Sequence, residues 1–397
     1  MIVREAATIL QQMAEGYYVV AVTGPRQAGK TTLVRETFSH KKYISLEDPD
    51  EREFAREDPR QFLGRLPEDG AILDEIQRCP ELFSYLQTRV DNDRRPGQFI
   101  LTGSQQFGLL HKITQSLAGR VGILELLPFT YTEVLAAGRA PKNLDTLLFK
   151  GLYPPLYDRK LSPSNWYKSY MQTYVERDVR QLLNIRDLNT FQRFIRLCAA
   201  RCGHLLNLSN IANECGITHN TARAWISILE ASYIIFLLTP HYRNYSKRLV
   251  KTPKLYFFDS GFAAWLLGIR DTGQLSIHAQ RGSLFEGWVI AEMIKNRFNR
   301  GQEKNLYFWR DHTGNEIDVI IEQSEKLIPV EIKSGQTITA TAFKALHKWL
   351  RLAGEDAGPA ALIYGGEESF TRSGTTVLPW TQISRLFAVH PLQANHE

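Results

Sequence analysis

Short apolar runs recur along the first third of the chain and alternate with mixed segments of helical length. The runs lie at residues 18–23, 42–46, 71–74, 98–103 and 121–126. Continuous apolar runs of this length, separated by helices, are typical of parallel strands that are buried on both faces. Residues 1–135 are therefore predicted to form an α/β domain around a parallel sheet.

The pattern changes after this domain. Residues 136–205 have helical periodicity and are predicted to form a helical lid or linker region. Residues 206–270 combine short helices with a strand, and residues 277–390 alternate helices and strands as a second α/β domain. The polar segment Asp271–Ser276 between them is the predicted linker.

The composition limits the class of protein. A chain of 397 residues is long enough for two or three domains, and 43% hydrophobic with 23% charged residues is usual for a globular protein. No apolar run reaches the roughly 18 residues of a membrane span, and the amino terminus does not resemble a signal peptide. Four cysteines without CxxC spacing indicate reduced thiols and a cytoplasmic location. The net charge of +6 permits a nucleic-acid partner.

The segment from Gly24 to Thr31, GPRQAGKT, matches the phosphate-binding pattern GxxxxGK[ST]. It follows the first predicted strand and precedes a predicted helix at residues 32–37. Its glycines would let backbone N–H groups surround the phosphates, and the helix would add its positive end. Lys30 is predicted to reach the β- and γ-phosphates of ATP, and the Thr31 hydroxyl to ligate Mg²⁺.

Two acids end the third predicted strand, AILDEIQ. Asp74 is predicted to hold the Mg²⁺ shell, because an acid at the end of a buried strand is costly without a cation. Glu75 would polarise the attacking water, which favours ATP hydrolysis over storage. The alternative is a solvated acidic turn.

The next two strands add two weaker candidates. Ser104, after the strand that contains Thr102, could contact the γ-phosphate or position the water, or could belong to a simple strand-end turn. Arg120 could act as a finger on a neighbour's nucleotide, or could be a surface residue. The predicted nucleotide-binding residues are Gly24, Pro25, Arg26, Gln27, Ala28, Gly29, Lys30, Thr31, Thr32, Asp74 and Ser104.

The order GPRQAGKTT, ILDEIQ, ILTGSQQF, SLAGR and ELLPFTYTEV resembles bacterial and archaeal AAA-type ATPases with a conserved carboxyl-terminal domain of unknown function. The resemblance covers nearly the whole chain. It implies an AAA-type P-loop module with Lys30, Thr31, Asp74 and Glu75 at matching positions. No counterpart of a second sensor arginine is recognised, so the sequence allows a homo-oligomer without indicating a ring.

Residues 206–230 have the pattern of a helix-turn-helix. The first helix is predicted to start near Ser209, Gly216 suits the turn, and Thr218 can cap the second helix. The predicted outer face of that helix carries Thr218, His219, Asn220 and Arg223. A basic wing is predicted to follow, with Arg243, Lys247, Arg248, Lys251 and Lys254. A winged helix can read DNA, but it can also serve only for packing.

The last domain holds a second candidate site. Asp318 lies in one predicted strand, and Glu331 and Lys333 share a face of the next, because strand side chains alternate. Asp318 and Glu331 could hold a divalent metal, and Lys333 could orient a water. With Glu286 as a third acid on the preceding helix, the arrangement resembles the PD-(D/E)xK nuclease (restriction-endonuclease-like) fold. The alternative is a retained fold in which the acids and the lysine only form ion pairs.

These features lead to competing functional hypotheses. The first is an ATP-driven enzyme that acts on DNA, branched or single-stranded, by remodelling, helicase-like action or metal-dependent cleavage. The second is an ATP-dependent regulatory switch or DNA-binding regulator without cleavage, in a defence or toxin–antitoxin setting. A metabolic kinase is disfavoured, because no lid or phosphoacceptor pocket for a small substrate can be identified.

Overall fold

The structure is a computed structural model that describes residues 2–103, 116–175, 187–241 and 250–387. Within these residues the strands form a five-stranded, a six-stranded and a two-stranded sheet. The five-stranded sheet is parallel throughout and has the order β2-β3-β4-β1-β5. Its strands are β1 (Val19–Thr23), β2 (Lys42–Ser45), β3 (Ala71–Asp74), β4 (Phe99–Gly103) and β5 (Val121–Glu125). The predicted parallel sheet is confirmed.

Both faces of this sheet are covered. Alternate residues of β1 belong to two separate apolar clusters, Val19 and Ala21 to one and Val20 and Val22 to the other. This two-sided burial explains why the strands are apolar without alternation. The helices of this part are α1 (Ala6–Gly16), α2 (Lys30–Thr37), α3 (Pro49–Glu57), α4 (Pro59–Gly64) and α5 (Leu82–Asn92).

A mainly helical region follows. Its helices are α6 (Tyr131–Ala136), α7 (Leu144–Lys150), α8 (Pro155–Asp158), α9 (Pro163–Tyr170), α10 (Leu188–Ala200), α11 (Leu208–Cys215) and α12 (His219–Ala231). Helices α11 and α12 form the predicted helix-turn-helix. Gly216 adopts a left-handed conformation at the turn, and the Thr218 hydroxyl caps α12 by accepting from the backbone of Thr221.

The six-stranded sheet lies in the last part of the chain and has the order β12-β13-β11-β10-β9-β8. The strands of this part are β8 (Leu306–Arg310), β9 (Glu316–Gln323), β10 (Lys326–Lys333), β11 (Ala361–Tyr364), β12 (Phe370–Arg372) and β13 (Thr375–Pro379). The antiparallel pair β6 (Ile235–Leu238) and β7 (Lys254–Phe257) precedes it. The remaining helices are α13 (Ser260–Leu266), α14 (Thr272–Ile277), α15 (Arg281–Phe298) and α16 (Lys344–Ala353).

One apolar cluster runs from the helical region through the helix-turn-helix into the last sheet. The predicted linker Asp271–Ser276 is helical rather than extended. Its residues form most of α14, because Asp271 caps the helix at the backbone of Gln274 and Leu275 is fully buried. Leu275 therefore packs in the core, while most of the other residues of the segment are exposed.

Candidate functional site

The phosphate-binding loop joins β1 to α2 at the carboxyl edge of the parallel sheet. Gln27 and Gly29 have positive φ angles of 61° and 91°, which turn the loop back on itself. A Cβ at Gly24 would lie 2.0 Å from the carbonyl oxygen of Leu126, so only glycine fits there. The loop also contains Pro25, Arg26 and Ala28, and Thr32 lies in the first turn of α2.

Lys30 begins α2 with its ammonium group inside this loop. The Lys30 Nζ atom donates to the carbonyl oxygens of Gly24 at 3.0 Å and Pro25 at 2.9 Å. The side chain is buried, so its charge is directed into the loop rather than into solvent. This is the position from which a lysine can reach phosphate oxygens.

Asp74 faces the same loop from the end of β3. Its Oδ1 atom accepts from the Thr31 hydroxyl at 3.1 Å, and its Oδ2 atom accepts from the Tyr43 hydroxyl at 2.7 Å. Thr102 on β4 donates a third hydroxyl hydrogen bond to Oδ1. Burial and the bond to Asp74 raise the pKa of Tyr43 to about 12. A buried carboxylate needs such partners, and they fix its orientation.

Thr31 and Asp74 together fit a magnesium site. Hydroxyl and carboxylate oxygens are ligands that Mg²⁺ accepts, and here they lie side by side at the mouth of the loop. The sequence predicted both residues, but the structure adds Tyr43 and Thr102 as residues that orient Asp74. Tyr43 belongs to no recognisable motif, and Thr102 ranks below Ser104 in the sequence because it lies within the strand.

Glu75 adopts a left-handed conformation with φ of 55°, which is rare for a residue with a side chain. Such a conformation costs about 1–3 kcal/mol and persists only where the surroundings hold it. The Glu75 backbone N–H donates to the Thr102 hydroxyl at 3.3 Å, and the Glu75 carboxylate accepts from the Gln77 amide. The acid is therefore held in a defined direction next to Asp74.

Of two further candidates, Ser104 lies outside the described residues. Thr102, at the end of β4, is a described polar side chain that contacts the acidic pair. Arg120 precedes β5 at the opposite edge of the sheet, where its guanidinium forms an ion pair with Asp91. That pair leaves Arg120 away from the nucleotide loop of its own chain.

Arg4 reaches the loop from the amino-terminal segment, a contact that no sequence motif indicated. Its guanidinium donates to the carbonyl oxygens of Ala28 and Leu127, each at 2.7 Å, and to Glu133 Oε1 at 3.0 Å. Both charged side chains are buried. Glu133 also accepts from the backbone N–H groups of Glu5 and Thr130, so the loop is tied to the start of α6.

The predicted acid–lysine group of the last domain is clustered in the structure. Lys333 Nζ lies 3.6 Å from Asp318 Oδ2 and also contacts the Glu331 carboxylate. Asp318 accepts from the backbone N–H of Ile332 at 2.8 Å, which fixes it against β10. Asp318, Glu331 and Lys333 therefore meet on one face of the β9–β10 hairpin.

Glu286 is held differently. Its Oε1 atom accepts from Lys254 Nζ at 3.1 Å and from the Tyr256 hydroxyl. Burial and the nearby Asp318 carboxylate raise the pKa of Glu286 to about 7. Among the described residues, no three His, Cys, Asp or Glu side chains are arranged to hold a metal ion. Glu286, the predicted third acid, therefore binds Lys254 and Tyr256 and does not form a metal site with Asp318 and Glu331.

Glu331 keeps one oxygen available. Burial and the charge of Asp318 raise the pKa of Glu331 to about 8, and its buried Oε2 atom has no hydrogen-bond partner among the described residues. A buried carboxylate oxygen without a partner, beside a second acid, fits a divalent cation. The cation would offset the repulsion between the two carboxylates and the loss of water around Glu331. The pair Asp318 and Glu331 fits a metal; the set of three acids does not.

The prediction for Lys254 in the basic wing is wrong. Lys254 is buried and pairs with Glu286 and Glu316, so it cannot meet the phosphates of a nucleic acid. Its carboxylate neighbours raise its pKa, against the opposing effect of burial. Lys251 is exposed, whereas Arg243, Lys247 and Arg248 lie outside the described residues. The predicted outer face of α12 is exposed at Thr218, His219, Asn220 and Arg223.

All four cysteines are free and buried. None of the described helices is long and apolar enough to cross a membrane.

Comparison with known proteins assigns three consecutive regions. Residues 16–135 match the family described as "AAA domain", residues 141–273 match "Domain of unknown function (DUF8612)", and residues 281–383 match "Domain of unknown function (DUF4143)". Two curated proteins align along almost the whole chain: Uncharacterized protein Rv2008c of Mycobacterium tuberculosis and Uncharacterized protein Mb2031c of Mycobacterium bovis. Each is 31% identical over 398 residues, which cover 98% of this chain and 86% of the relative.

The chain belongs to the family of these AAA-domain proteins. Its amino-terminal part is an AAA-type P-loop ATPase domain, and the resemblance stated from the sequence motifs is confirmed to that extent. The family assignment extends over the helical region and the last sheet, since the relatives align across both.

Several solved structures are similar at low identity. The Walker-type ATPase PABY2304 of Pyrococcus abyssi is 16% identical with a TM-score of 0.44, covering 66% of this chain and 94% of that one. AMPPCP-bound DnaA from Aquifex aeolicus is 17% identical with a TM-score of 0.31, covering 57% and 85%. The RuvB Holliday junction branch migration motor of Thermotoga maritima is 18% identical with a TM-score of 0.31, covering 60% and 90%. Similarity this weak carries no argument about activity.

Proposed function

We propose that this protein binds and hydrolyses ATP and uses the energy to act on DNA. The observation that carries the hydrolytic part is the contact between Thr31 and Asp74, with Glu75 fixed directly beside them. The loop backbone and Lys30 would bind the phosphates, and Thr31 and Asp74 would hold Mg²⁺. The metal would neutralise negative charge on the transferred phosphoryl group.

Glu75 would act on the water. Its carboxylate would orient the water and accept a proton as the water oxygen bonds to the γ-phosphorus and the bond to the ADP oxygen breaks. Thr102 contributes indirectly, because its hydroxyl contacts the Asp74 carboxylate and the Glu75 backbone together. Asp74 would hold the metal and Glu75 would act on the water, which explains why two adjacent acids lie at the end of β3.

Action on DNA is supported by the helix-turn-helix and by its connection to the ATP site. The exposed face at the start of α12 is the part of such a motif that enters a major groove. At the other end of α12, the Tyr233 hydroxyl lies 3.1 Å from the Thr23 hydroxyl and donates to Glu125 at 2.8 Å. Thr23 directly precedes the phosphate-binding loop. A shift in the loop can therefore move Tyr233, and with it the end of α12, through the contact between the two hydroxyl groups.

If the protein acts on DNA, single-stranded or branched DNA will raise its rate of ATP hydrolysis. The increase should weaken as salt rises from about 50 to 200 mM, because contacts to phosphates release counterions. Phosphate release would be measured with a panel of DNA structures, and Arg223→Gln should reduce the increase. A rate that no nucleic acid changes at low salt would instead favour the regulatory switch without DNA processing.

A second activity, metal-dependent cleavage of DNA, is favoured by the last domain. The order α15, β8, β9, β10, α16 and β11 places one helix before three antiparallel strands and a parallel fourth strand after the second helix. This order supports a PD-(D/E)xK-like fold, and so does the grouping of Asp318, Glu331 and Lys333 on one face of the β9–β10 hairpin. The competing interpretation is that these groups, with Glu286 and Lys254, serve only as ion pairs.

Cleavage is tested by incubating the protein with plasmid and branched DNA in Mg²⁺ or Mn²⁺. We expect nicking by the wild type and its loss in Asp318→Ala and Lys333→Ala, since one removes a metal ligand and the other the cation beside the nucleophile. The exposed Glu325→Ala is a matched control on the same hairpin. Wild-type protein that cuts no DNA with either metal would leave this domain as a binding module.

A further inference from the structure

Arginines from three separate segments surround one cavity next to the phosphate-binding loop. The cavity has a volume of ≈ 480 Å³. Its lining residues are Arg26, Arg52, Arg56, Gln77, Arg78, Pro80 and Glu81. Arg26 comes from the loop itself, Arg52 and Arg56 from α3, and Arg78 from the turn that follows Glu75.

The positive charge in this cavity is only partly balanced. Arg52 donates to the backbone carbonyl oxygens of Leu46 and Glu47, and Arg56 donates to that of Arg78 at 2.7 Å. Neither arginine forms an ion pair with a carboxylate of the described residues. Arg78 does pair with Glu47 at 3.3 Å, but that glutamate side chain is 53% exposed. Carbonyl groups orient guanidinium groups without cancelling their charge. Because four arginines and one carboxylate, Glu81, are among the described lining residues, the cavity is positive on balance and attracts anions.

The arginines are held on fixed elements. Helix α3 begins with Pro49 and is capped by Asp48, whose carboxylate accepts from the backbone of Asp50. The bond from Arg56 to Arg78 joins this helix to the turn after β3. Like charges collected on rigid elements are unfavourable without a ligand, and guanidinium groups bind phosphate through two parallel hydrogen bonds.

We propose that this cavity binds the phosphate backbone of a nucleic acid. The inference rests on the proposed action on DNA and locates one contact in the ATPase domain, away from the helix-turn-helix. Several guanidinium groups around an open cavity suit successive phosphates of a polymer, whereas the triphosphate of ATP has its own loop, lysine and acidic pair.

The cavity is connected to the catalytic acid through Gln77. This side chain lines the cavity, its amide donates to the Glu75 carboxylate, and its buried Oε1 atom has no hydrogen-bond partner among the described residues. A bound backbone that draws Gln77 away would change the direction of Glu75. Occupation of the cavity should therefore alter the rate of ATP hydrolysis as well as the affinity for nucleic acid.

The test compares Arg52→Gln/Arg56→Gln with the matched control Arg60→Gln/Arg94→Gln, which removes the same charge from exposed positions of the same domain. Binding of a fluorescein-labelled single-stranded oligonucleotide, and of its duplex, would be followed by anisotropy at several salt concentrations. For the single strand, loss of two phosphate contacts should reduce the magnitude of the negative slope of log K against log salt by about 1.4, or about 0.7 per contact. The control and Arg52→Lys/Arg56→Lys should keep most of the wild-type slope.

Each outcome decides between explanations. If Arg52→Gln/Arg56→Gln has the same slope of log K against log salt as the control, the inference is overturned. The proposed action on DNA still stands in that case if Arg223→Gln weakens binding. Failure of the wild type to bind either oligonucleotide at low salt overturns both. If a fluorescent ATP analogue loses affinity while oligonucleotide binding is unchanged, the cavity serves the nucleotide instead. Should the double variant unfold, the single change Arg56→Glu at an exposed position provides the same comparison.

Discussion

Replacing Glu75 with glutamine is expected to reduce ATP turnover by about 10²–10⁴-fold, the usual contribution of a positioned general base. Glutamine has nearly the same shape and can keep the left-handed backbone, but it cannot accept the proton of the attacking water. Binding of ATP should be retained, because the loop, Lys30 and Asp74 are unchanged. Phosphate release and the affinity for a fluorescent ATP analogue would be measured on the same preparation.

Two comparisons make this result interpretable. Glu68→Gln introduces the same chemical change at a side chain that is 95% exposed in the same domain, and it should leave turnover unchanged. Lys30→Ala should instead weaken ATP binding itself, because the loop loses the cation that faces the phosphates. Equal turnover by Glu75→Gln and the wild type would show that another group activates the water.

The second large effect concerns stability. Arg4→Ala should lower the free energy of unfolding by about 3–5 kcal/mol, since it leaves the buried Glu133 carboxylate without its ionic partner. The carbonyl oxygen of Ala28 also loses its donor, so we expect weaker ATP binding as well. Urea unfolding followed by tryptophan fluorescence would measure the stability, and titration with an ATP analogue would measure the binding.

The control for this prediction is Arg139→Ala. Arg139 pairs with Asp158 at 3.6 Å, but both side chains are more than 40% exposed, so the loss should be only about 0–1 kcal/mol. A similar small loss for Arg4→Ala would mean that the backbone donors of Glu5 and Thr130 are sufficient for Glu133. In that case the buried contact would not stabilise the phosphate-binding loop.

The local pattern was sufficient for most elements of the fold. The five apolar runs became the five parallel strands, and the turn at Gly216 with the cap at Thr218 separates the two predicted helices. Such features depend on neighbouring residues: apolar runs, a glycine with positive φ and a hydroxyl at a helix start. The helix after Asp271 was not predicted, because the polar composition of this segment concealed a cap and one buried leucine.

The sequence by itself determined the phosphate-binding loop, the acidic pair and the spacing of Glu331 and Lys333, since each lies within a few adjacent residues. Only the tertiary structure decided that Arg4 supports the loop, that Lys254 turns inward to Glu286, and that four arginines share one cavity. These contacts join residues distant in the chain, and their partners are selected by burial and by charge. The local sequence pattern does not show which distant residues burial and charge bring together.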